Sequence, residues 1–159
     1  YAGEMPVCMY SGLEILENSK IKSWRAYEQK EIMEKSLLSV KQDVKLLGNY
    51  AVRYWAKHIK YCLEKHNVLP DTISYVLPHV SSMFFYDKII NELEQVGIGI
   101  DKSKWFTNLP EVGNIASAAI FAILDQFWKT HKLMPGEKIL LLVPESGRFS
   151  YGTVLLSVV

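Results

Sequence analysis

Apolar residues repeat every three or four positions between residues 42 and 65, and this is the strongest periodic signal in the chain. The positions on one helical face there are Val44, Leu47, Ala51, Trp55, His58 and Cys62. This spacing predicts a long amphipathic helix with that face toward the core. The pair His66-Asn67 and then Pro70 predict where the helix ends.

The remaining segments predict further helices and strands. Apolar runs at 73–77, 138–143 and 153–159 are typical of buried strands, and looser alternation over 13–27 indicates one or two exposed strands. Helices are predicted over 28–38, from Ser81 or Ser82 to about residue 96, and from Asn114 or Ile115 to about residue 130. Residues 1–12 and 97–113 are predicted as loops. This order indicates one α/β domain over 1–159, with helices covering a mixed sheet.

Composition narrows the possible functions. The 159 residues carry a formal net charge of +1 and are 49% apolar, which favours a folded domain over a nucleic-acid binder that relies on bulk charge. No apolar run approaches the ~20 residues of a membrane-spanning helix. Cys8 and Cys62 give neither a disulfide framework nor a metal-binding spacing, so a reducing, cytoplasmic setting is predicted. Because the first residue is Tyr1 and not Met, the native N-terminus is expected upstream.

Three residues in predicted turns are candidates for chemistry. His79 lies between a strand and a helix, where open α/β sheets bind ligands and an imidazole can exchange a proton near neutral pH. Asn114 begins an Ala-rich helix and could donate its amide to a carbonyl, and the N–H of Gly147 could approach an oxyanion between two strands. Each has a simpler interpretation: a surface or capping histidine, an N-cap asparagine and a hairpin glycine.

Other reactive or charged residues are weaker candidates. Cys62 falls on the apolar helix face, and Cys8 has no strand-to-helix turn that would expose a thiol, so neither is a good nucleophile candidate. Glu145 and Arg148 could pair with each other. The basic residues of the long helix are a solvated face or, alternatively, a surface for an acidic carrier protein; they are Arg53, Lys57 and Lys60.

Taken together, several stretches resemble the C-terminal half of the β-ketoacyl-acyl-carrier-protein synthase III family, which has a thiolase-like fold. They are VLPHVSS at 76–82, GNIASAA at 113–119, LMPGEKILL at 133–141 and ESGRFSYG at 145–152. The resemblance runs from about residue 42 to the end. The last strand ends where that of the family ends, so a complete C-terminus is expected.

The resemblance implies a Cys–His–Asn active site that joins an acyl thioester to a malonyl thioester by decarboxylative Claisen condensation. It assigns His79 and Asn114 to the malonyl carbonyl and the enolate, and Gly147 to the oxyanion hole. The family's cysteine belongs to its N-terminal half, so this half is taken as absent and the isolated chain is predicted to be inactive. The implied substrates are thioesters of acyl-carrier-protein phosphopantetheine or coenzyme A. No cofactor or metal is implied, and a homodimer through the missing half is expected.

The chain also departs from the family pattern. Val80, Ser81 and Ser82 replace a usual Gln-Ala-Asn, and Phe84 replaces a basic residue linked to carrier docking. Glycines are common where Ser146 and Arg148 stand. These changes favour a specialised condensing enzyme, of the dialkylresorcinol or polyketide kind, over the fatty-acid starter enzyme. A non-catalytic partner or ligand-binding module of the same fold is the alternative, and the role of residues 1–40 stays open.

Overall fold

The computed structural model describes residues 5–159. Its strands are β1 (Met9–Tyr10), β2 (Leu13–Ile15), β3 (Ile21–Ser23), β4 (Lys41–Gln42), β5 (Tyr75–Pro78), β6 (Lys138–Glu145) and β7 (Ser150–Ser157). Its α-helices are α1 (Gln29–Glu34), α2 (Val44–Lys65), α3 (Met83–Gln95), α4 (Leu109–Val112) and α5 (Ala119–Thr130). Single 3₁₀ turns lie at 24–26, 70–72, 102–104 and 116–118.

Strand β6 is the centre of a three-stranded mixed sheet. Strand β5 pairs with it in parallel, with Pro78 opposite Leu142, and β7 pairs with it antiparallel along its whole length. The parallel pair requires a long crossover connection, and α3, α4 and α5 supply it. Two small antiparallel pairs, β1 with β4 and β2 with β3, lie in the first part of the described chain.

Side chains of β5 and β6 alternate between two helical layers. Val76, Leu140 and Leu142 pack with buried residues of α2 and α3, whereas Leu77 and Ile139 pack with α5. Successive strand residues point to opposite faces of a sheet, so both apolar runs are buried on both sides. The architecture is therefore α/β, with helices covering both faces of a mixed sheet, as predicted.

Helix α2 confirms the long predicted helix but corrects the face that it buries. Val44, predicted to face the core, is 73% exposed, and Asp43 caps the helix by accepting a bond from the Leu46 N–H at 2.8 Å. His58 and Cys62 lie half-buried at the edge of the apolar face. The buried residues of the helix are Leu47, Val52, Trp55, Ala56, Ile59 and Leu63.

Three predicted boundaries were wrong. The predicted loop over 1–12 contains β1, and the predicted loop over 97–113 contains α4 and one 3₁₀ turn. The helix predicted from Asn114 or Ile115 begins at Ala119. It begins late because Ala116 has a left-handed backbone, with φ of 54°, which interrupts a right-handed helix.

Two phenylalanines on α5 make a matched test of this core. Phe127 is fully buried against the sheet, whereas Phe121 is 73% exposed on another side of the same helix. We expect Phe127→Ala to lower the free energy of unfolding by about 3–5 kcal/mol. Phe121→Ala should change it by no more than about 0.5 kcal/mol. Urea unfolding of both variants checks this, and equal losses would contradict the assigned layers.

Candidate active site

His79 lies directly after β5, at the carboxyl end of the parallel strand pair. Its main-chain N–H donates to the carbonyl of Leu142 at 2.8 Å, which extends the pairing of β5 with β6 by one residue. Ser82 then caps α3 by accepting a bond from the Phe84 N–H at 3.2 Å. His79 is thus fixed between a strand end and a helix start, which is where open α/β sheets bind their ligands.

The imidazole of His79 is half-buried, and its two nitrogens are in different environments. Nδ1 is buried and has no hydrogen-bond partner among residues 5–159, and His79 is one of the residues that line a cavity. Burial lowers the pKa of this imidazole from its ordinary value of 6.5. The ring is therefore neutral at pH 7 and can take part as an uncharged hydrogen-bonding group.

Asn114 is held in a defined orientation by its own turn. Its Oδ1 accepts a bond from the Ala116 N–H at 3.0 Å, and the preceding Gly113 has a left-handed backbone with φ of 76°. This bond uses the carbonyl side of the carboxamide and leaves the NH₂ side to donate elsewhere. The simpler N-cap interpretation of Asn114 is wrong, because Ile115 is the N-cap of the 3₁₀ turn and Ala118 is the N-cap of α5.

His79 and Asn114 line the same cavity, which has a volume of about 370 Å³. Its walls are mainly apolar and include Trp55 and Phe85. Its polar lining comes from His79, Ser81, Asn114, Ser117, Glu145 and Ser146. Glu145 is the only formally charged residue among those described in the lining, so the two candidate donors face a site dominated by neutral groups.

Gly147 lies between two strands as predicted, but it does not line the cavity. It lies in the four-residue connection 146–149 between β6 and β7, it is buried, and it is absent from the cavity lining. Its N–H donates to the side chain of Glu145, and its carbonyl accepts a bond from the Cys8 N–H at 2.8 Å. A role for this N–H in an oxyanion hole stays a prediction, and it requires Glu145 to move away.

Glu145 and Met9 are cavity residues that sequence reasoning did not assign to the site. The predicted pairing of Glu145 with Arg148 takes another form, because the carboxylate accepts a bond from the main-chain N–H of Arg148 at 3.0 Å. Met9 comes from β1, which pairs with β4. A two-residue strand of this kind has no periodic signal, so only the folded chain identifies it as part of the site.

Neither cysteine lines the cavity. Cys8 is fully buried, its thiol contacts the carbonyl of Asp43 at 3.4 Å, and burial raises the pKa of this thiol. Sγ of Cys62 lies 3.4 Å from Nε2 of His58 on α2.

Within residues 5–159, no group of three or more His, Cys, Asp or Glu side chains could hold a metal ion. No helix of the described chain is long and apolar enough to cross a membrane.

Comparison with known proteins decides the family. The model of the C-terminal part of 3-oxoacyl-[acyl-carrier-protein] synthase III matches residues 63–158. The chain belongs to this family. The predicted resemblance is confirmed, and the match includes His79, Asn114 and the hairpin around Gly147.

Curated relatives agree with this assignment. The β-ketoacyl-[acyl-carrier-protein] synthase III of Aquifex aeolicus is 33% identical over 110 residues, which cover 69% of this chain and 34% of that protein. The enzyme of the same name from Clostridium kluyveri is 28% identical over 120 residues, which cover 76% of this chain and 35% of that protein. The matched part of this chain thus spans about a third of the length of these relatives.

A solved structure shows the same fold. The crystal structure of 3-oxoacyl-[acyl-carrier-protein] synthase III from Aquifex aeolicus matches with a TM-score of 0.57 and 26% identity. The match covers 94% of this chain and 42% of that one. The predicted thiolase-like fold of the synthase III C-terminal part is therefore confirmed.

The neutral state of His79 has a measurable consequence for stability. The unfolded chain takes up a proton near pH 6.5, whereas the folded chain resists protonation of His79 until a lower pH. The part of the stability that depends on neutral His79 is therefore fully present above about pH 6.5, and it falls as the pH drops toward the pKa of the folded chain.

We expect His79→Gln to lose less unfolding free energy than the native chain when the pH is lowered from 7.5 to 5.5. Burial lowers the pKa of His58 in both proteins, so the difference isolates His79. Identical pH profiles in urea unfolding would contradict this.

Proposed function

We propose that this chain forms the C-terminal half of the active site of a 3-oxoacyl-acyl-carrier-protein synthase. The reaction is the decarboxylative Claisen condensation of an acyl thioester with a malonyl thioester. The observation that carries the proposal is the shared cavity of His79 and Asn114 at the carboxyl end of β5 and β6. The family match and the names of the relatives support the same reaction.

The two side chains suit the charge that this reaction develops. Loss of carbon dioxide from a malonyl thioester leaves an enolate, and its negative charge lies largely on the thioester oxygen. The proposal places that oxygen between the imidazole of His79 and the free NH₂ of Asn114. Donors that are fixed before reaction stabilise such charge without reorganisation, and removal of one typically costs about 10²–10³ in rate. Because both donors are neutral, no charge has to be buried before the enolate forms.

The nucleophilic cysteine is proposed to come from a segment outside this chain. Neither Cys8 nor Cys62 reaches the cavity, and the relatives are about three times as long as the part that this chain matches. The N-terminal half of such an enzyme would bring the acyl-cysteine to the cavity. On this proposal, the isolated 159 residues do not complete a condensation.

An exposed apolar face of α5 supports the presence of such a second half. Phe121 is 73% exposed and Trp128 is 59% exposed, two helical turns apart on one side of the helix, and Ile115 just before the helix is 41% exposed. Large apolar side chains grouped in this way mark an interaction surface. We propose that the N-terminal half packs there, and that the complete protein is a cytoplasmic homodimer through that half.

The carrier of the thioester and the product class are part of the proposal. Phe84 replaces the basic residue linked to docking, but Lys88 on the next turn of α3 places its ammonium 3.9 Å from the centre of the Phe84 ring. A cation is thus present at this edge of α3, where the phosphopantetheine of an acyl carrier protein or a coenzyme A thioester could dock. The substitutions at residues 80–84 favour a polyketide-type or other specialised product over the fatty-acid starter.

A non-catalytic module of the same fold is the second candidate function. The observation in its favour is the contact between Glu145 and the Gly147 N–H, since that amide is the one predicted for the oxyanion hole. A partner protein or ligand-binding module would have no need to free this amide.

Half-reactions of the longer polypeptide that contains this chain separate the two candidates. His79→Ala and Asn114→Ala should each slow release of carbon dioxide from the malonyl thioester by about 10²–10³. Both should affect formation of the acyl-cysteine much less, because the nucleophile lies in the other half. His66→Ala is the matched control, since His66 is exposed at the end of α2 and away from the cavity. Equal loss of both half-reactions would count against the assigned roles.

The isolated chain provides a test of the missing half. We expect purified residues 1–159 to show no condensing turnover and to self-associate or precipitate through the α5 face. Phe121→Ser combined with Trp128→Ser should reduce this association, as measured by analytical ultracentrifugation. Robust acyl transfer, or a strictly monomeric and highly soluble native chain, would contradict the proposal.

A further inference from the structure

The carboxylate of Glu145 is bound by the hairpin that it introduces. One oxygen accepts a bond from the Gly147 N–H, and the other accepts a bond from the Arg148 N–H at 3.0 Å. Two consecutive main-chain N–H groups that converge in this way form a concave binding site for an anion. The hairpin therefore contains an anion-binding amide pair, and Glu145 is its internal ligand in this structure.

The lack of a side chain at Gly147 gives the carboxylate room to approach the amide this closely. A Cβ atom at this position would lie 2.6 Å from Oε1 of Glu145, which is closer than real Cβ atoms approach their neighbours. The carboxylate thus lies directly over the place that a side chain would occupy. A glycine at this position therefore lets an anion approach the amide, whether that anion is Glu145 or a ligand.

Glu145 also belongs to the wall of the cavity that contains His79 and Asn114. It is the only formally charged residue among the described lining residues, and it is solvent-exposed. An exposed carboxylate can turn away from the hairpin without unfolding the core. While it stays, it occupies the amide pair and repels a second negative charge in the same cavity.

We propose that Glu145 is an internal competitor for the anionic group of the substrate. Its carboxylate fills the amide pair of Gly147 and Arg148, which would otherwise bind an external carboxylate or oxyanion. This inference deepens the proposed function, on which it rests for the identity of that anion. The hairpin thus has two states. With Glu145 bound to the amides it disfavours a malonyl group or a developing oxyanion, and with Glu145 displaced it can bind one.

Titration of the labelled chain with sodium malonate tests the competition directly. The readout is the position of the Gly147 and Arg148 amide signals in ¹H–¹⁵N spectra of residues 1–159 that carry Phe121→Ser and Trp128→Ser, the pair expected to reduce self-association. Glu145→Ala should bind malonate at these amides with an apparent Kd at least about tenfold lower than that of the native chain, because hydrogen bonds to charged acceptors are the strong ones. Malonamide, which has no charge, should show no such gain.

Glu137→Ala is the matched control. Glu137 lies at the other end of the hairpin strands, and its carboxylate also accepts a main-chain bond, from Met134 at 2.8 Å, but it does not line the cavity. This variant should bind malonate as the native chain does. If Glu145→Ala does not fold, Glu145→Gln provides the same test, since it removes the charge and should also lower the Kd.

Equal affinities of the native chain and the Glu145 variant, or signal shifts confined to other residues, would overturn the inference. The titration requires no condensation reaction, so its failure is distinct from failure of the proposed function. A lower Kd for malonate in Glu145→Ala would support the role of Glu145 as an internal competitor. If His79→Ala left decarboxylation unchanged at the same time, the proposed enzyme function would be rejected while that role stood.

Discussion

The parallel pairing of β5 with β6 is the constraint on which the candidate site depends. It ends with the bond from the His79 N–H to the carbonyl of Leu142, and both strands therefore finish at the same edge of the sheet. One strand end delivers His79, and the other delivers Glu145 and Ser146. Helix α5 packs on the face of these two strands that is turned away from α2 and α3. The turn before α5 brings Asn114 to the same edge. Parallel strands pair only through a long crossover, so three segments that are distant in sequence meet because of this one interaction.

The site combines neutral donors with an apolar wall, and Glu145 is the exception. His79 is uncharged because burial lowers its pKa, and Asn114 is oriented by a bond to its own turn. Such groups are fixed without the cost of burying an ion, which suits a reaction whose charge appears only during the chemical step. A carboxylate in the same wall opposes that charge. Its engagement with the Gly147 N–H makes the state of the hairpin as important to function as the presence of the two donors.

Much of this fold could be predicted from the sequence, because its main elements carry strong periodic signals. Helix α2 and the strands β5 and β6 were predicted to within a few residues, and the family was recognised from short motifs around His79, Asn114 and Gly147. The register of the buried face of α2 was wrong, since a 22-residue helix contains apolar residues on more than one side and only packing selects the buried one. The site of Met9 and the contact of Glu145 with two amides could not be predicted, because both depend on hairpin geometry and on a two-residue strand.

On the proposed function, His79 and Asn114 act on the same thioester oxygen. A double-mutant cycle on malonyl decarboxylation by the longer polypeptide tests it, with His79→Ala, Asn114→Ala and the combined variant. Groups that act as a unit on one charge show strongly non-additive losses. We expect the combined variant to be about as slow as the worse single variant. Losses that simply multiply would show that the two side chains act independently, and would contradict the shared site.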